Sequence, residues 1–129
     1  MKISLPNRLM VVLLSLGLIL LLAIALLLTN RPKSLLATGV EIPAIQGNII
    51  HINPNNAVFV EGERYGTKST LVANIDDQTN IFIQTNEGKV ETVRPTNLSK
   101  GMVVKVLCRG MILQSSPEIC TAREILILP

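Results

Sequence analysis

Cys108 and Cys120 are the only cysteines in the 129-residue chain, with eleven residues between them. A pair of this kind can be a structural disulfide, two free thiols or a redox-active dithiol. A redox pair usually reads Cys-x-x-Cys, which this one does not. A metal site is not expected either, because the two cysteines and the single His51 are far apart in sequence and lack an obvious fourth ligand. An antiparallel return through Gly110 to Pro117 would bring the two sulfurs together. In a small domain outside the cytoplasm a disulfide is then the natural state. Closing a loop of that size contributes about 3 kcal/mol through the unfolded chain. A thiol or redox accessory role using Cys108 and Cys120 stands as the alternative.

The other residues with chemistry to offer do not assemble into a catalytic set. His51 falls in a strand between Ile50 and Ile52, where a hydrogen-bonded or exposed histidine is the ordinary occupant. Ser115-Ser116-Pro117 has no Gly-x-Ser-x-Gly elbow and no adjacent base, so it reads as a turn. Asp76-Asp77 lacks the alternating oxygen ligands of a calcium loop and reads as a solvated turn. Asn97-Leu98-Ser99 matches a glycosylation acceptor, which matters only in a eukaryotic secretory pathway. No enzymatic activity, metal or cofactor is expected. The candidate binding element is the long polar stretch Glu61 to Lys68, read as a loop. It carries Glu61, Glu63, Arg64 and Lys68 together with Tyr65, the only tyrosine. Loops of this type on a rigid scaffold often carry binding function.

These residues need a frame, and the chain's two halves differ in texture. Hydrophobic residues are 48% of the chain but aromatics only 2%. Three scattered rings do not make a stacking platform for single-stranded nucleic acid. Leu9 to Leu28 is twenty residues without a charge, enough for a helix of about 30 Å, the thickness of the hydrocarbon core of a bilayer. A short basic tail, residues 1–8, precedes it. The competing reading is a cleaved signal peptide, since Ala23-Ile24-Ala25 is a small-x-small site, and a secreted domain would result. Residues 1–40 hold Lys2, Arg8, Arg31 and Lys33 and no acid, whereas residues 41–129 hold eight basic and nine acidic side chains. The basic balance therefore belongs to the membrane flanks. A nucleic-acid-binding domain would show a basic patch on its folded part, so nucleic acid is not an expected partner. The short amino-terminal tail, the likeness to a signal sequence and the cysteine pair favour a carboxyl-terminal domain outside the cytoplasm.

Residues 29–43 read as a linker, because Asn30-Arg31-Pro32 ends the helix. From Ala44 the pattern becomes short apolar runs separated by turn residues. Strands are expected over Ile45 to Ile52, Ala57 to Val60, Thr70 to Ile75, Ile81 to Thr85, Val90 to Val93, Met102 to Cys108 and Arg123 to Leu128. One short helical turn is expected over Asn97 to Lys100, capped by Gly101. The fold class is mainly β: residues 44–129 form a small OB-like antiparallel barrel of five to six strands. Closing the sheet removes exposed edges from a domain whose core is modest.

The carboxyl third carries a recognisable pattern. Asn97 to Val106 reads as a leucine, a glycine and then alternating valines, and is followed by Gly110, Ile112, Ser115, Pro117, Ala122 and Ile125. This resembles the YobA-like family of small bacterial membrane- or lipid-anchored domains, whose pattern is Gly-x-Ile-x-x-Ser-x-Pro followed by Ala-x-x-Ile. Gly47 is similar to that family's first-strand glycine. The chain departs from it at Ser116, where an aromatic is common, and in having an apolar helix instead of a lipobox cysteine. The resemblance implies an OB-like barrel in the cell envelope and brings no activity. The periplasmic haem chaperone of cytochrome maturation shares the helix-plus-barrel plan. Its haem-attaching histidine and nearby tyrosine have no counterpart after Tyr65. The expected function is a single-pass membrane-anchored binding or assembly module. Its expected partners are the membrane, through Leu9 to Leu28, and an envelope protein or cell-wall component.

Overall fold

The computed structural model describes residues 7–29 and 33–129, with the side chains of residues 27–29 left aside. Most of the basic tail (1–6) and the residues expected to end the helix, Asn30, Arg31 and Pro32, lie outside the described residues. Helix α1 spans Asn7–Thr29. Its described side chains are all exposed, and Asn7–Leu26 is long and apolar enough to cross a membrane. Ser15, the one hydroxyl within the span, donates to the Val12 carbonyl at 2.8 Å. The polar group is thereby satisfied inside the helix, as a lipid environment requires.

Residues 34–129 form a separate compact unit. Its strands are β1 (Ile45–Asn53), β2 (Ala57–Arg64), β3 (Thr67–Asn74), β4 (Asn80–Gln84), β5 (Val90–Thr92), β6 (Val103–Leu113) and β7 (Glu118–Ile127). The order β3-β2-β1-β6-β7, closed by a β3–β7 pairing, makes a five-stranded barrel, and β4 and β5 extend the sheet beyond β7. All the neighbours are antiparallel except β3–β7 and β4–β7, which are parallel. One edge of β7 serves both of those partners: Glu118 to Thr121 face β3 and Glu124 to Ile127 face β4. The single 3₁₀ turn among the described residues covers Pro95–Asn97, just ahead of the expected Asn97 to Lys100. Gly101 still supplies a left-handed residue, with φ +93°.

Alternation along the strands fills the barrel. Ile45 and Ile49, Val58 and Val60, Leu71 and Ala73, Val104 and Val106, and Ala122 and Ile125 are all buried in one cluster. Gly47 and Gly62 face each other across β1 and β2. A Cβ on Gly47 would lie 2.0 Å from the Glu61 carbonyl oxygen, and one on Gly62 would lie 2.1 Å from that of Gln46. The two backbones meet too closely there for any side chain.

A second cluster lies on the outer face. Phe82, Leu107 and Leu126 point away from the interior and pack with Leu36. Leu36 belongs to the stretch read as a linker, and this is a correction: residues 34–43 are part of the folded unit. The reason is Glu124. Its side chain is 2% exposed, and its carboxylate accepts hydrogen bonds from the Ser34 hydroxyl and from the backbone N–H groups of Leu35 (2.9 Å) and Leu36 (3.3 Å). Ser34 Oγ in turn accepts from the N–H of Ala37 at 3.0 Å. A buried carboxylate needs such donors, and the strap of residues 34–38 supplies them while Leu36 covers the apolar face.

Candidate functional site

The disulfide is present: Cys108 and Cys120 are joined across β6 and β7, with their Cα atoms 5.9 Å apart. Cys120 is buried and stands opposite Ala73 of β3, so the bond lies beside the pairing that closes the barrel. That is a structural placement, and it offers no exposed thiol at Cys120.

The stretch Glu61 to Lys68 is not a loop. It is the end of the β2–β3 hairpin, with Glu61 opposite Thr70, Gly62 opposite Ser69, Glu63 opposite Lys68 and Arg64 opposite Thr67. Only Tyr65 and Gly66 make the turn, at φ +54° and +75°. Two consecutive positive φ values are the requirement of a type I′ turn, which matches the twist of the flanking strands. The polar composition that suggested a loop reflects exposure of the hairpin arm instead.

The residues of the family-like motif account for a second hairpin. Gly110, at φ +76°, opens a bulge in β6, where the register jumps from Arg109 opposite Thr121 to Leu113 opposite Ile119. The bulge turns Ile112 towards the core and leaves Met111 87% exposed. Ser115 donates from its hydroxyl to the Pro117 carbonyl at 2.8 Å and holds the turn. The Ser116–Pro117 peptide is cis. Ala122 and Ile125 are fully buried in the barrel.

The two hairpins meet at one end of the barrel. Arg64 forms an ion pair with Glu118, and its guanidinium carbon lies 5.3 Å from the centroid of the Tyr65 ring. That stack fixes an otherwise free aromatic face. A groove of about 550 Å³ runs from Ile42 and Pro43 past Gln46 to Glu63, Arg64, Tyr65 and Ile112. A second, more polar hollow of about 570 Å³ lies between Lys68, Ser69 and Thr70 and the turn Ser115 to Glu118. Three of the five hairpin candidates and one motif residue therefore line the first groove, and Lys68, Ser115 and Pro117 line the second. Glu61 is paired with Lys68 at 3.0 Å. Gly110, Ala122 and Ile125 line neither groove.

Sequence reasoning missed Ile42 and Met111, each 87% exposed. Ile42 falls in the stretch read as a linker and Met111 in the return read between the two cysteines, so neither stands out by type. His51 is exposed and meets Phe59 edge-on, with ring centroids 5.2 Å apart. Asp76 is held below the usual carboxylate range, first by the hydrogen bond from Arg109. Arg109 also donates to Gln78 Oε1 at 2.9 Å. Among the described residues no cluster of His, Cys, Asp or Glu could hold a metal ion. No family model, curated protein or solved structure matches the chain.

Proposed function

We propose that the chain is a single-pass membrane protein whose barrel lies outside the cytoplasm and acts as a binding or assembly module of the cell envelope. The strand order and the parallel closure of β3 on β7 support an OB-like reading, and the Gly110 to Ile125 pattern supports a YobA-like kinship. The disulfide supports an oxidising compartment. The observation that carries the binding role is the tip groove: Ile42 and Tyr65, which line it, are 87% and 93% exposed beside an ordered Arg64–Tyr65 stack. Apolar side chains gathered on a surface mark an interaction site. A photoreactive side chain placed at Tyr65 in cells should give one discrete membrane-associated adduct, and one at Glu87 on the β4–β5 turn should give none. External protease should remove the barrel from the adduct. Equal labelling from both positions, or none from Tyr65, overturns the reading.

A further inference from the structure

We infer that the tip groove takes an extended polypeptide segment in which a basic residue is flanked by aliphatic ones. This rests on the tip being the docking site. Its partner chemistry comes from charge. The tip segments 41–46, 61–68 and 110–118 carry four acids, Glu41, Glu61, Glu63 and Glu118, and two bases, Arg64 and Lys68. The rest of the barrel unit carries five acids and six bases. The tip is thus the acidic part of an otherwise slightly basic unit. Within it the two bases are already engaged, Arg64 by Glu118 and Lys68 by Glu61. Glu63 lines the groove, is exposed, and has no ion-pair partner among the described residues.

A cation arriving beside Glu63 would find a carboxylate that no base engages, because its cross-strand neighbour Lys68 is paired with Glu61 and Arg64 with Glu118. Its neighbours would rest on Ile42, Ile112 and the Tyr65 ring. An exposed aliphatic and an exposed aromatic side chain, Ile42 and Tyr65, beside a half-buried arginine are the composition of a protein interface, and they offer a glycan few hydroxyl partners. The acidic surplus also disfavours anionic lipid headgroups. Free backbone at the β6 edge is not invoked, because the Gly110 bulge breaks the regular ladder there.

Tyr65 is the only tyrosine and the chain has no tryptophan, so its emission reports this groove alone. The full chain in detergent micelles would be titrated with three blocked peptides lacking tyrosine and tryptophan, identical except for a central Lys, Gln or Glu between Leu and Val. The expected result is a saturable change in Tyr65 emission, with the Lys peptide binding at least tenfold more tightly than the Glu peptide. Raising the salt should narrow that gap. Glu63→Gln should bring the Lys peptide down to the affinity of the Gln peptide. If all three peptides bind alike, the charge inference fails and the docking reading survives. If none alters Tyr65 emission, both fail. A response to anionic vesicles alone, or a change with protein concentration alone, also overturns the inference, by naming lipid or a second copy as the occupant.

Discussion

Two apolar surfaces of the barrel unit, both outside its core, can be set against each other. On the outer face of β4, β6 and β7, the Phe82, Leu107 and Leu126 side chains are covered by Leu36 of the strap and are at most 9% exposed. At the tip, Ile42, Tyr65 and Met111 remain open, although Ile42 lies only a few residues beyond that same strap. The chain passes close to both regions and buries only one. Burial at the first is anchored by a carboxylate that accepts from three strap donors. At the tip the Arg64–Glu118 and Glu61–Lys68 pairs, the Ser115 hydrogen bond and the ring stack hold the hairpins' shape without covering Ile42, Tyr65 or Met111. The outer face is therefore part of folding, whereas the tip stays open to solvent, which is why the proposed docking site is placed there.

The largest effect that tests this contrast is at Phe82. Phe82→Ala removes a ring that is 2% exposed and should cost about 3–5 kcal/mol. Met111→Ala should change stability by no more than about 0.5 kcal/mol. Denaturant titration of the full chain in micelles measures both. A comparable loss at Met111 would mean that the tip is packed, and the contrast would collapse.

The intermediate effect is at Glu124. Glu124→Ala leaves the donors of Ser34, Leu35 and Leu36 facing an apolar wall, and should cost about 2 kcal/mol. Glu124→Gln keeps one carbonyl acceptor and should cost less. The sharper readout is hydrogen exchange. The Leu35 and Leu36 amides should lose protection in Glu124→Ala, while the amides of the β2–β3 hairpin keep theirs. Loss at both places would show that strap and tip unfold as one unit and are not independent surfaces.

The strands were legible because alternation survives wherever one face is buried. Ile45, Ile49, Val104 and Val106 announce β1 and β6, and the Asn, Gly and Pro runs mark their turns. The barrel class follows from such spacing. The two parallel pairings do not, since they depend on β7 dividing one edge between β3 and β4. The hairpin arms beyond the core also escaped. From Glu61 to Arg64 the pattern of burial gives way to mostly polar side chains, and polar strand and polar loop look alike. The strap escaped for another reason. Ser34 reads as a linker residue until its partner is known, and that partner, Glu124, is 90 positions away. The cysteine pairing was readable from two residues and one hairpin. The groove was readable only in part, because Glu63, Arg64 and Tyr65 stand out by type whereas Ile42 falls in the stretch read as a linker.

The smallest effect separates a sealed carboxylate from an open one. Asp76 is exposed, and the Arg109 guanidinium holds its carboxyl below the ordinary range. A lowered value in the folded state means that the unfolded chain takes up the proton first as the pH falls. The stabilisation from this pair is therefore complete above the ordinary carboxylate range and is lost as the pH drops through the lowered value. Asp76→Asn should leave the midpoint of thermal unfolding nearly unchanged at neutral pH in high salt, where an exposed pair is screened. At low salt it should remove a shallow part of the acid-side decline. Loss of Leu35 and Leu36 amide protection belongs to Glu124 and should not follow Asp76→Asn at any pH. If it did, the strap would be coupled to the Asp76–Arg109 pair on the barrel surface, and the outer face could no longer be treated as a seal made by Glu124 and Leu36 alone.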